Sequence, residues 1–188
     1  AESNIGNREK AIDVWKGVLK SEPGLAYAQN ELKRLYREAS KWNAYLEILK
    51  GEAREADTDD QKVATYLEMI EVYRDRLRLP VMVVNTYYEI LEVEPANADA
   101  LQALEVKFRK SARWNDLVDV LKRQVEASRQ KSDDERYIAL CREVAQIQLE
   151  RFNNQSEASV YLENVLALSP ADNAALEALV ELHRKARD

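Results

Sequence analysis

The sequence predicts an all-α fold, a stack of antiparallel helix hairpins. Three observations carry this. The chain repeats on itself at about 72–75 residues. Within each repeat, apolar residues recur at i, i+3, i+4 and i+7, the stripe of an amphipathic helix. Turn chemistry is sparse: 4 Gly and 4 Pro in 188 residues, whereas an all-β chain needs turn signals about every 8–12 residues.

The repeat is read from aligned landmarks. Trp42 in ASKWNAYLEILK and Trp114 in SARWNDLVDVLK lie 72 residues apart, as do Pro23 and Pro95. Pro170 follows Pro95 by 75, because the loop before Asp133 is three residues longer than its earlier copy. Super-repeats therefore run over about 7–78 and 81–151, with a partial copy at 155–188. Internal repetition at such a period marks a solenoid, in which each unit buries its apolar face on its neighbours.

About ten helices follow, in order. Helix 7–21 carries Ala11, Trp15 and Val18 and stops before Pro23. Helix 26–39 carries Leu32 and Tyr36, and helix 42–55 carries Trp42, Tyr45 and Leu49. Helix 59–78 has the stripe Val63, Tyr66, Leu67, Ile70, Tyr73 and Leu77, and Thr58 with Gln61 forms a capping box at its start. Helix 81–93 follows Pro80, which suits a first helical turn. Helix 97–111 carries Leu101, Leu104 and Phe108, and helix 114–129 carries Trp114, Leu117 and Leu121. Helix 133–151 repeats the long stripe as Ile138, Cys141, Ala145, Leu149 and Phe152, with Ser132 and Glu135 as its capping box. Helices 155–168 and 172–186 carry Ala158, Leu162 and Val165, then Leu176, Leu179 and His183. Short connections make consecutive helices antiparallel neighbours within one domain, 1–188.

Composition narrows the function classes. A net charge of −6 speaks against a nucleic-acid partner, which wants a concentrated basic face. No apolar run approaches the roughly 18–20 residues of a membrane span. The lone Cys141 cannot form an internal disulfide, so no oxidising compartment is required. The compartment is left open, the cytoplasm slightly favoured over the periplasm.

Catalytic parts are scarce. His183 is the only histidine, so His-based dyads, triads and most zinc sites lack their members. It occupies the aromatic slot of Tyr36 and Phe108 and is read as partly buried there. Cys141 aligns with Tyr66 on a buried stripe and is read as a packed, inert thiol. Gly6, Gly17, Gly24 and Gly51 are isolated and form no phosphate-binding loop. Carboxylates recur beside Lys and Arg, as in ELKRLYRE and EVYRDRLR, the pattern of a solvated face with i,i+4 pairs. Trp42 and Trp114 are read as packing between adjacent hairpins, and Trp15 as core. No metal and no cofactor is expected, and the chain is read as not an enzyme.

The repeat resembles the tetratricopeptide family. That motif places a small residue, a bulky one four later, another small one and a closing Pro. Ala11, Trp15, Val18 and Pro23 fall at those spacings, as do Val83, Tyr87, Ile90 and Pro95, and Ala158, Leu162, Val165 and Pro170. The resemblance covers nearly the whole chain, and long bacterial repeat proteins have units of this kind. The family's first-helix glycine is replaced by Lys33, Glu71, Glu105, Gln146 and Val180. Alternate units lack the closing Pro, so their exits are expected to be looser. Helix 7–21 matches a second helix and 172–186 a first one. That leaves either a piece of a longer array or an assembly with open ends.

The resemblance implies a right-handed superhelix whose first helices line a concave, protein-binding groove. By motif position the lining comprises Tyr27, Asn30, Arg34 and Arg37, then Thr65, Glu68, Val72 and Arg76. Asp99, Gln102, Val106, Arg109 and Lys110 follow, then Glu143, Ile147 and Arg151, with Glu177, Glu181 and Arg184 last. The Lys/Asn set that grips a peptide carboxy-terminus in some family members is absent. The row Arg37, Arg76, Arg109, Lys110, Arg151 and Arg184 either reads acidic segments of a partner or answers the helix macrodipole. The expected function is a protein-interaction module or scaffold with a protein or peptide partner. Self-association through open ends, or a regulatory solenoid within a larger enzyme, are the alternatives.

Overall fold

The expected stripes become helices because each finds a neighbour to bury it. A computed structural model describes residues 2–22 and 24–185, with side chains for 6–22 and 24–184. Among these residues the fold is all-α, in two units, Ala1–Val93 and Glu94–Asp188. Pro23, expected to close the first unit, and residue 186, the expected end of the tenth helix, lie outside the described residues.

The first unit contains α1 (Glu2–Ser21), α2 (Ala26–Glu38), α3 (Trp42–Glu55), α4 (Asp59–Glu71) and α5 (Pro80–Val93). Helix α4 runs on through a π-helical turn, Val72–Arg76, in which the Leu77 amide donates to the Val72 carbonyl at 3.0 Å. Each helix packs on the next in sequence. The core holds Ile12, Leu32, Leu35, Tyr36, Tyr45, Leu46, Leu49, Met69, Val72 and Tyr73.

The second unit contains α6 (Ala98–Lys110), α7 (Trp114–Gln130), α8 (Asp134–Phe152), α9 (Gln155–Leu168) and α10 (Asn173–Lys185), again packed in sequence order. Phe108, Leu117, Leu121, Val144 and Val165 are fully buried here. Ion pairs join alternate helices: Arg109 of α6 to Glu143 of α8, and Lys122 of α7 to Glu157 of α9, each at 2.6 Å. Alternate helices thus lie side by side and make two layers, as a solenoid requires.

The helix boundaries follow the expected ones within a residue or two, except that α1 begins five residues earlier, at Glu2. Five local expectations are corrected. Ser132 does not cap α8. It sits at φ 54° and closes α7, and the Asp133 carboxylate caps α8 by accepting from the Arg136 amide at 3.1 Å. A three-residue connection must both end one helix and start the next, so the two tasks fall on adjacent residues. At the other box, the Thr58 hydroxyl accepts from the Gln61 amide at 3.3 Å, as expected. Gln61 returns the bond to the Asp57 amide at 3.2 Å.

The exits without proline are not looser. They span residues 56–58 and 131–133, three each, against four residues at 94–97 and 169–172. The second of them is locked by the Asp133 amide donating to the Ser128 carbonyl at 3.0 Å.

Long helices bury more than one stripe. Leu140, Val144 and Ile147 of α8 are buried beside the expected Cys141 and Ala145, because α7 and α9 cover two sides of it. On α4 the expected Leu67 is 43% exposed, and Met69 is buried in its place. His183 is exposed rather than partly buried. Tyr36 and Phe108, its counterparts, are covered by α3 and α7, whereas no described helix follows α10.

Cys141 is fully buried, and burial pushes its thiol up to about 11. Trp15, expected in the core, is half-buried and meets Tyr27 edge-on at 5.5 Å; Trp42 and Trp114 are half-buried too, Trp42 against the first unit's core.

Candidate functional site

The first helices of the hairpins, α2, α4, α6 and α8, present the expected groove residues in stripes at helical spacing. Tyr27, Asn30, Arg34 and Arg37 are exposed on α2, as are Asp99, Gln102, Val106, Arg109 and Lys110 on α6. Thr65 and Glu68 are half-buried, and Arg76 and Arg151 are exposed. Val72 and Ile147, at equivalent positions, are buried at 5% and 7%, so they lie beneath the surface that the others form.

One arrangement occurs in both units. In the first, Arg37 of α2 reaches across to Glu68 of α4 at 3.3 Å and donates to the Tyr45 hydroxyl at 2.6 Å. Tyr45 in turn donates to Glu68. Burial, and then that bond to a carboxylate, push the Tyr45 phenol above its ordinary range. The Arg76 guanidinium lies over the Trp42 ring at 5.0 Å. Between them is a cleft of about 230 Å³, also lined by Glu71, Val72 and Asp75.

In the second unit Arg109 reaches Glu143 at 2.6 Å, and Arg151 lies over Trp114 at 4.4 Å. Arg37, Trp42, Glu68 and Arg76 thus return as Arg109, Trp114, Glu143 and Arg151, at offsets of 72 and 75 residues. Identity of residue and identity of pairing coincide, although the copies diverge at most other surface positions. Tyr45 is the exception: Leu117 replaces it, and Arg109 donates its further bond to Glu105 at 2.9 Å.

Of the expected basic row, Lys110 is exposed and in no ion pair among the described residues, and the arginines are of two kinds. Arg37 and Arg109 are consumed by ion pairs within the chain. Arg34 is held by Glu31 and Glu38, and Arg184 by Glu181. Arg76 and Arg151 make no ion pair among the described residues, and their guanidinium edges stay exposed while one face rests on a tryptophan. The sequence read Trp42 and Trp114 as packing alone. Their role as platforms was missed because the arginine partner lies 34 or 37 residues away, on the next hairpin.

Among the described residues no group of His, Cys, Asp and Glu could hold a metal ion, and no helix is long and apolar enough to cross a membrane.

Hairpins in sequence order, a four-helix period and paired layers agree with the motif spacing read from the sequence. In these respects the array resembles tetratricopeptide repeats. No family model matches the sequence, and no curated protein matches it. Among solved structures, BtubC from P. vanneervenii is similar at 12% identity and TM-score 0.40, over 100% of this chain and 84% of that one. The MamA protein is similar at 15% identity and TM-score 0.39, over 90% and 86%. A thermophilic TPR protein from Thermus thermophilus is similar at 17% identity and TM-score 0.32, over 97% and 92%. Likeness at this level assigns neither partner nor activity.

Proposed function

We propose that the chain is a protein-interaction module that holds an acidic segment of a partner against its first helices and performs no chemistry of its own. The observation that carries this reading is the tryptophan-held arginine of each unit. A guanidinium held over an indole is oriented before binding, so less rotamer freedom is lost when it meets a carboxylate. Its in-plane N–H groups remain available for bidentate pairing with carboxylates. Arg37 and Arg109, tied to Glu68 and Glu143, serve as the frame that keeps neighbouring first helices in place. The macrodipole accounts for cations at helix ends, but not for the same ring platform under both.

The test is charge reversal at the two free arginines, Arg76→Glu with Arg151→Glu, read by titration of a fluorescent Asp/Glu-rich peptide at low salt. Binding is expected to fall at least about tenfold, the equivalent of about 1.4 kcal/mol, and to weaken in the parent as salt rises. Affinity unchanged by the double reversal would sink the reading.

A further inference from the structure

The connection from α3 to α4 carries a run of carboxylates. Glu55, Asp57, Asp59 and Asp60 are all exposed, and none makes an ion pair among the described residues. No basic residue lies between them.

Helix formation accounts for half of the run. Asp59 and Asp60 sit in the first turn of α4, where the positive end of the macrodipole favours an acid. Glu55 is the last residue of α3, where the same field disfavours one. Asp57 lies outside both helices, and the Gln61 side chain bonds its amide, not its carboxylate. The second unit keeps only the acids at the helix start, Asp133, Asp134 and Glu135. Ala127 stands in the place of Glu55, and Ser132 in the place of Asp57. The first unit therefore presents two carboxylates, beside two more, that neither helix nor cap requires.

Such a run is a ligand of the class that the tryptophan-held arginines are read to take. It cannot reach Arg76 of its own unit. The run lies at one end of α4 and Arg76 at the other, beyond 13 residues of helix and a π-helical turn of 5, roughly 25 Å at about 1.5 Å per residue. A second copy is free of that constraint. The acids next to the receiving arginines are already engaged. Asp75, beside Arg76, is held by Arg74 at 2.8 Å, and Glu150, beside Arg151, accepts from the Gln146 carboxamide at 2.8 Å.

We propose that a second copy of the chain is a partner, with the Glu55–Asp60 segment of one copy docked on a tryptophan-held arginine, Arg76 or Arg151, of another. This rests on the proposed function and names the acidic segment that it takes. The giving and receiving patches differ, so the contact is heterologous and joins copies in series. One exposed ion pair contributes little. The contact gathers several carboxylates around a guanidinium that its ring already orients, and it weakens as salt rises.

Sedimentation equilibrium of the full chain, over a rising concentration series at low and at high salt, tests this. At low salt the average mass is expected to climb above that of one chain, and at high salt to return to it. Two variants each remove one side of the contact. Glu55→Lys with Asp57→Lys reverses the run and leaves the helix-start acids in place. Arg76→Glu with Arg151→Glu reverses the receiving side. Each is expected to lower the association constant at least about tenfold. An equimolar mixture of the two is expected to recover association, since each supplies the side that the other lacks. If the arginine variant melts well below the parent, the Glu55→Lys/Asp57→Lys chain is read against the parent alone. A single-chain mass at every concentration overturns the proposal, and overturns it alone if an Asp/Glu-rich peptide still binds through Arg76 and Arg151. A mixture that stays at single-chain mass overturns it as well. So does association that persists in high salt or in both variants, which marks an apolar contact instead. If the double arginine reversal changes neither peptide binding nor self-association, the proposed function falls with it.

Discussion

Replacing Trp114 by alanine tests the repeated arginine–tryptophan device directly. Deleting a fully buried aromatic ring costs about 3–5 kcal/mol. The Trp114 ring is half-buried at the start of α7, with one face under the Arg151 guanidinium at 4.4 Å. The expected loss is therefore about 2–3 kcal/mol, scaled from the buried case by the area covered. Of this, about 0.5–1 kcal/mol belongs to the cation–π contact at an exposed site. Urea denaturation followed by far-ultraviolet circular dichroism measures the total. A double-mutant cycle with Arg151→Ala isolates the contact, since it subtracts what each side chain does alone. A total loss below about 1 kcal/mol would place the ring on the surface. A coupling indistinguishable from zero would mean that the guanidinium merely lies near the ring.

Two further predictions follow from buried and capping groups. Cys141, buried and with its thiol pushed up to about 11, is expected to resist iodoacetamide at pH 8 and to react once urea unfolds the chain. The sign of its pH effect is fixed. The unfolded thiol loses its proton near its ordinary value of about 8.5, before the folded one does, so its contribution to stability declines as pH rises from there toward 11. Cys141→Ala should flatten that limb of a pH–stability curve. At the start of α8, Asp133→Ala is expected to cost about 1 kcal/mol in urea, the usual value of a lost cap. Ser132→Ala should change stability by less than about 0.5 kcal/mol. A larger cost at Ser132 than at Asp133 would return the cap to the serine.

Much of the architecture was legible because it is written in spacing. Tryptophans 72 residues apart and prolines 72 and 75 apart align the copies without any structure. What was not legible is local chemistry that substitutes for a familiar signal. Ser40, Arg78, Ala112, Ser132 and Asn153 all close helices at φ between 50° and 54°. That conformation is normally announced by glycine. Each is held by an amide bonding back across the last turn, such as Lys41 to the Tyr36 carbonyl at 2.8 Å and Arg113 to the Phe108 carbonyl at 3.0 Å. The helix ends were thus found from the apolar stripes, while the residues that make them were not.

The candidate site divides in the same way. Motif position alone marked Arg37, Glu68, Arg76 and their later copies, because first-helix positions recur with the repeat. Which of these are free for a partner is a three-dimensional matter. Arg37 and Arg109 are neutralised by carboxylates 31 and 34 residues away, and Arg76 and Arg151 are not.

By itself, then, the sequence determined helix type, helix order and a four-helix period, since apolar periodicity and short connections act over a few residues and leave local traces. Tertiary structure decided which charges are spent and which are free, which ring serves as a platform, and where a cleft opens. Those outcomes depend on side chains tens of residues apart meeting at ångström distances.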